Sequence, residues 1–226
     1  MKPVQLKEAR LVAGWTQREA AARLGVSQPY YAQMENGSRR VPDELALAAV
    51  RKLRLSPVLL PLPPLAQQLL PADPEELARA LGTLGYQGFA RAAKPKFTAN
   101  PGELIARALV HSNLEPRLME ALPWVLAKFP DLDWEWLAAQ CRLLNLQNRL
   151  GFLVTLAVVL SNPATDARLR NALPRLETSR LAAEGTLCRD SMSQAERNWV
   201  RKHRPPAAAH WNLLTTLTAA QLTHAA

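Results

Sequence analysis

Cysteine is nearly missing from this 226-residue chain. Cys141 and Cys188 are its only two, and neither stands in a CxxC or Cys/His spacing, which argues against a disulfide framework or a zinc site. A reducing, cytoplasmic setting is the expectation. Histidine is as sparse: His111, His203, His210 and His224 are scattered singly and no HExxH occurs, so neither a metal nor a cofactor is expected. No nucleophile, paired-acid or phosphate-loop constellation stands out, and no catalytic residue is assigned. The longest apolar run, "LGFLVTLAVVL" at 150–160, is too short to span a bilayer, and "MKPVQLKEARL" lacks the apolar core of a signal peptide. Strand-like alternation does not persist anywhere and no internal repeat is present. Acids are also in deficit, 19 against 28 Lys and Arg, which predicts attraction to a polyanion.

The excess charge is concentrated at the front. Residues 1–54 hold ten basic and five acidic side chains, so +5 of the total +9 sits in about a quarter of the chain. This stretch reads as short helices separated by clear stops. "VQLKEARLVAG" ends at Gly14, and "TQRE" at 16–19 is a capping box that starts a second helix over Gln17–Leu24, stopped by Gly25. Ser27 caps a third helix, Pro29 is tolerated in its first turn, and Asn36-Gly37 ends it. "VPDE" opens a fourth helix that runs to about Leu53, with two acids where the helix dipole favours them.

Two short helices joined by a glycine turn make a helix-turn-helix, whose second helix enters a DNA major groove. Helical spacing puts Tyr31, Met34 and Glu35 on the inner face of the third helix and Pro29, Ala32 and Gln33 on the outer one, with Gln28 projecting from the first turn. A glutamine amide offers a donor and an acceptor together to adenine, so Gln28 and Gln33 are the base-reading candidates. Arg39 and Arg40 should meet the phosphate backbone, and Gln17 can hydrogen-bond a phosphate beside the free amides opening the second helix. Tyr30, Asn36 and Ser38 complete the expected DNA-facing set.

With "TQREAAARLGVSQPYYAQMENG", residues 4–54 resemble the phage-repressor, Xre/Cro-type helix-turn-helix family. The resemblance implies a phosphate contact by Gln17, turn-shaping roles for Ala21 and Gly25, base contact from Gln28, and an inward Glu35 paired with Arg10. Pro29 departs from the family, which commonly has a second polar reader there; readout at this position is then either apolar contact with a thymine methyl or absent. A double-stranded DNA operator and a homodimer, with its contact in the second domain, are the implied partners.

Between 55 and 74 proline recurs at 57, 61, 63, 64, 71 and 74, which no continuous helix accommodates. Residues 1–54 are therefore read as the DNA-binding domain, 55–74 as a stiff connector and 75–226 as a second domain. Helical periodicities near 75–83, 102–112, 115–128, 133–160, 166–180 and 193–224, the last broken at Pro205-Pro206, predict an irregular bundle anchored by Trp124, Trp134, Trp136 and Phe152. The fold class is all-α. In "DLDWEW" at 131–136 the acids are read as helix-starting residues rather than metal ligands, and "RKHRPP" at 201–206 as a solvated helix end. The polar insert Asn145, Gln147, Asn148 and Arg149 could tie helices together or face a protein partner. "LGYQGFARAA", "EALPWVLAKFPDLDWEW" and "LQNRLGFLVTLA" resemble a helical domain of antitoxin-type bacterial regulators, which implies an autorepressor and a cognate toxin as partner. The alternatives are a regulator with an effector site in the second domain and a protein-interaction module without DNA binding.

Overall fold

Hydroxyl caps set two helix starts in the N-terminal part. Thr16 accepts from the Glu19 amide and Glu19 reaches back to Thr16, opening α2 (Gln17–Leu24); Ser27 accepts from the Tyr30 amide and opens α3 (Gln28–Glu35). Between them Gly25 takes a left-handed conformation (φ 74°) that turns the chain at low cost. Before them lies α1 (Pro3–Val12), and after them α4 (Asp43–Lys52), acidic in its first turn and basic in its last. The computed structural model describes residues 1, 3–53, 55–65, 68–93 and 99–222, which divide into two compact units. The first runs from residue 1 to Leu62 and includes Asn100, whose amide donates to the Val58 and Leu60 carbonyls. Its core gathers Leu6, Ala20, Tyr31, Met34, Ala46 and Ala49, all closed to solvent. Burying each large side chain among these contributes about 1.5–3 kcal/mol.

The second unit comprises α5 (Pro74–Leu84), α6 (Pro101–Leu109), α7 (Pro116–Lys128), α8 (Trp134–Leu143), α9 (Gln147–Leu160), α10 (Pro163–Glu177), α11 (Gln194–His203) and α12 (Pro206–His210). After its polar first turn α9 is largely apolar and buried, and it packs against α7 and α10, so it is the buried axis of the bundle. Phe152 on α9 is closed to solvent, Trp136 nearly so, and Trp124 and Trp134 are half-buried.

Three features differ from expectation. A single helix over 133–160 is broken at Leu144–Leu146, where Asn145 adopts φ 56° and the Leu146 amide turns back to the Cys141 carbonyl at 2.8 Å. Asparagine tolerates that left-handed state better than most residues, so the break is local chemistry that apolar periodicity conceals. The last predicted helix ends early: α12 stops at His210, and the chain then runs as β2 (Leu213–Leu214) parallel to β1 (Gly185–Thr186). This two-residue ladder, in register Gly185 to Leu213, sits inside an otherwise all-α molecule. Residues 66 and 67 of the connector and the end of the last predicted helix, with His224, lie outside the described residues.

A further anchor is Trp211, 1% exposed, whose indole nitrogen donates to Thr155 Oγ1 at 3.0 Å. Its ring lies on Gly151 so closely that a Cβ there would meet ring carbons at 2.4 Å. Gly151→Ala should therefore destabilise the second unit by about 1–3 kcal/mol through overpacking, despite alanine's better helix propensity. Urea midpoints should show the drop, and a Trp211→Leu background should shrink it.

Candidate nucleic-acid interface

In α3 the 3.6-residue period separates two jobs. Tyr31, Met34 and Glu35 are buried, Tyr30 and Ala32 half-buried, and Gln28, Pro29 and Gln33 exposed. Glu35 is the anchor. Arg10 of α1 grips both its oxygens, Nε to Oε1 at 2.6 Å and Nη2 to Oε2 at 3.3 Å, while Nη1 donates to the Trp15 carbonyl at 2.8 Å. One guanidinium thus joins α1, α3 and the turn before α2. The network continues outward: Gln17 Nε2 donates to Glu35 Oε2 at 2.9 Å, and Gln28 Nε2 donates to Gln17 Oε1 at 2.9 Å.

Counting donors shows what remains available. Gln28 gives one amide hydrogen to Gln17 and retains the other together with Oε1, the donor and acceptor pair that matches adenine N7 and N6. Gln17 also retains one amide hydrogen. Burial alone would raise the Glu35 pKa, but the hydrogen bonds from Arg10 and Gln17 hold the carboxyl below its ordinary value of 4.5. The same pairing raises the Arg10 pKa. Burial also pushes the neighbouring Tyr31 phenol up.

The capping box alters the expectation for the start of α2. Thr16 Oγ1 takes the Glu19 amide, and the Glu19 carboxylate, kept ionised chiefly by the Thr16 backbone amide, stands nearby. The first-turn amides of Gln17 and Arg18 have no intrahelical acceptor, and Arg23 is the cation that acts on Glu19. Sequence reading passed over Arg18; the structure shows it exposed and lining one groove with Gln17, Ala22, Val26 and Gln28.

Beyond α3 the chain folds back on itself. Asn36 Oδ1 accepts from the Ser38 amide at 2.9 Å, an Asx turn, and the Arg39 amide donates to the Gln33 carbonyl at 3.0 Å. The turn brings the Arg39 guanidinium over the Tyr30 ring at 4.3 Å, so Tyr30 supports a cation. Arg40 pairs with Asp43 at 3.4 Å, both well exposed, a contact weak enough for a phosphate to displace. The structure groups Gln17 with Gln28 and Tyr30 with Arg39; Gln33 and Pro29 stand on the open outer face.

In the second unit the polar insert turns inward, as the first of its two readings, tying elements together, has it. Gln147 donates to the Ser179 carbonyl, Asn148 clasps both backbone groups of Leu181, and Arg149 donates to the Thr186, Leu109 and His111 carbonyls and to Asp190. Gln147 and Asn148 are 4% exposed. Their chemistry fixes the segment after α10 against α9; of the four, Asn145 is the exposed one. Asp133 caps α8 and Asp131 pairs with Arg168, while Arg201 and Arg204 converge on Glu184, whose pKa they lower. Among the described residues no three His, Cys, Asp or Glu side chains cluster as metal ligands, and no helix is long and apolar enough to cross a membrane.

Residues 6–60 match a family model described as helix-turn-helix. The N-terminal unit is a DNA-binding helix-turn-helix domain of the phage-repressor type. No curated protein and no solved structure matches the chain, and the resemblance of the second unit to antitoxin-type regulators gains no support.

Removing the Glu35 carboxylate strands a buried guanidinium. Glu35→Ala should destabilise the N-terminal unit by about 3–5 kcal/mol, whereas the paired change Arg10→Met with Glu35→Leu should cost far less. Because the folded pKa of Glu35 is depressed, its contribution is complete above pH 4.5 and disappears as pH falls through the lower folded value. Amide exchange at residues 31–35 should accelerate across that acid window in the wild type and change less in Glu35→Gln.

Proposed function

We propose that the protein is a sequence-specific transcriptional repressor that reads a DNA operator with α3. Gln28 and Gln33 face the bases, Pro29 contributes apolar contact, and Gln17, Arg18, Arg39 and Arg40 meet phosphates on either side, with Tyr30, Asn36 and Ser38 shaping the second phosphate site. Acting as a homodimer, it places two such helices about 34 Å apart on two half-sites. The observation that carries this reading is the hydrogen-bond line from Arg10 through Glu35 and Gln17 to Gln28. It holds an exposed amide in one orientation with its base-pairing edge still open. A helix that merely packed against protein would have no use for such an edge.

The reading rests on the N-terminal unit, since the Gln147 and Asn148 amide donors and the Arg149 guanidinium of α9 are spent on carbonyls of their own unit. Repression follows from occupancy of promoter DNA by a protein of this size, and the basic front supplies salt-dependent affinity to which a few base contacts add selectivity.

The test is selection of bound fragments from random duplexes, followed by titration of variants on the selected site. Gln28→Ala should lose about 1–3 kcal/mol of discrimination at one base position. Arg39→Ala should weaken all duplexes alike and reduce the slope of log affinity against log salt by about one. Equal selectivity of wild type and Gln28→Ala would refute the assignment.

A further inference from the structure

The face of α1 turned away from the core has a pattern that fits a second copy of itself. Leu6, Ala9 and Arg10 point inward, and Arg10 engages α3. On the opposite side, Val4, Lys7, Glu8 and Leu11 fall at i, i+3, i+4 and i+7, one straight stripe, and all four are exposed. Val4 and Leu11 are 54% and 57% exposed, and Val12 beside them is 91% exposed. A single ten-residue helix thus carries three large apolar side chains in water, an arrangement that marks an interaction surface. Lys7 and Glu8 make no ion pair among the described residues.

The order along the stripe is apolar, basic, acidic, apolar. Two such helices laid antiparallel, with a two-fold axis between residues 7 and 8, set Val4 on the partner's Leu11 and Lys7 on the partner's Glu8, each contact occurring twice. We infer that α1 is a self-pairing surface through which two copies of this chain associate. Charge complementarity selects the occupant: the stripe presents opposite charges in the order its own inverted copy requires, whereas a one-signed partner would leave one of them opposed. A groove along the same helix, whose mostly apolar lining of Ala9, Val12, Leu53, Leu55 and Leu59 also takes in Gln5 and Glu8, extends the area available to the partner helix. Since α3 packs on the inward side of α1, the pairing leaves the outer edge of α3 free. The contact is small, so it acts best between copies already held on neighbouring sites of one duplex. This places a contact between copies on the first unit rather than the second. It rests on the operator reading for its use, not for its existence.

The experiment traps the pair in the full chain without DNA. Val4→Cys and Leu11→Cys variants, mixed under mild oxidation, should give a disulfide-linked heterodimer, and each alone much less; Cys141 and Cys188 are buried and contribute little background. Charge supplies the second arm. Lys7→Glu or Glu8→Lys alone sets like charges across the axis twice and should weaken sedimentation-measured association about tenfold, while the double swap Lys7→Glu with Glu8→Lys should restore it. Absence of cross-linking in the mixture, or association indifferent to both single reversals, overturns the inference. A second unit that dimerises by itself would give that indifferent result. Binding of the selected duplex by Gln28→Ala is scored separately, so failure of the operator reading remains distinguishable.

Discussion

A buried ion pair governs the N-terminal unit. Arg10 and Glu35 lie 25 residues apart in sequence, with side chains 11% and 3% exposed, and removing both from water is costly unless every polar atom finds a partner. Here the fork of the guanidinium meets both carboxylate oxygens and a backbone carbonyl, and Gln17 meets the remaining face of the carboxylate. Lysine could not reproduce this, because an ammonium group cannot span two helices and a turn at once with fixed geometry. Hydrophobic burial would hold the helices together without the pair. What the pair adds is a single angle between α1, α2 and α3, and a fixed origin from which Gln17 and then Gln28 are aimed.

That fixed origin bears on recognition. A free glutamine on a helix surface loses rotamer freedom when it meets a base, a cost of about 0.5–1.5 kcal/mol for an immobilised side chain. Gln28 has lost much of it before any DNA arrives. The same network also settles an electrostatic difficulty, since Glu35 would otherwise set an unmatched negative charge beneath a basic surface. Matched by Arg10, it contributes almost no field at the groove, and the surplus of the first 54 residues remains directed outward through Arg18, Arg39 and Arg40.

Much of this was legible in the sequence because it is encoded locally. Caps announce themselves by residue type and spacing, as Thr16 with Glu19 and Ser27 do, and the inward set Tyr31, Met34 and Glu35 follows from helical period alone. Resemblance added the Arg10–Glu35 pair, which no local rule reaches across 25 residues. The second unit was less legible where single residues outweigh periodicity. Asn145 breaks a helix whose apolar pattern runs on without interruption, and Trp211 fits against Gly151 only because the chain returns after 60 residues. Gln147, Asn148 and Arg149 left two readings open, tying helices together or facing a partner; they pair with a backbone strap that has no regular structure of its own to satisfy its amides and carbonyls. Periodicity reports which face is apolar; it does not report which irregular segment will need hydrogen bonds.

The two units therefore use buried polarity for different ends. In the first, a short line of polar groups begins in the core and ends at the surface, and its outermost member keeps its hydrogen-bonding capacity open. In the second, Arg149 makes contacts to three backbone carbonyls and to the half-exposed Asp190, so its donors are spent within the unit. A polar network that terminates in satisfied backbone fixes a fold, whereas one that terminates in an exposed, oriented amide has an unfilled valence for recognition. By that criterion the open hydrogen-bonding capacity lies on α3, and the rigidity around α9 serves the bundle itself.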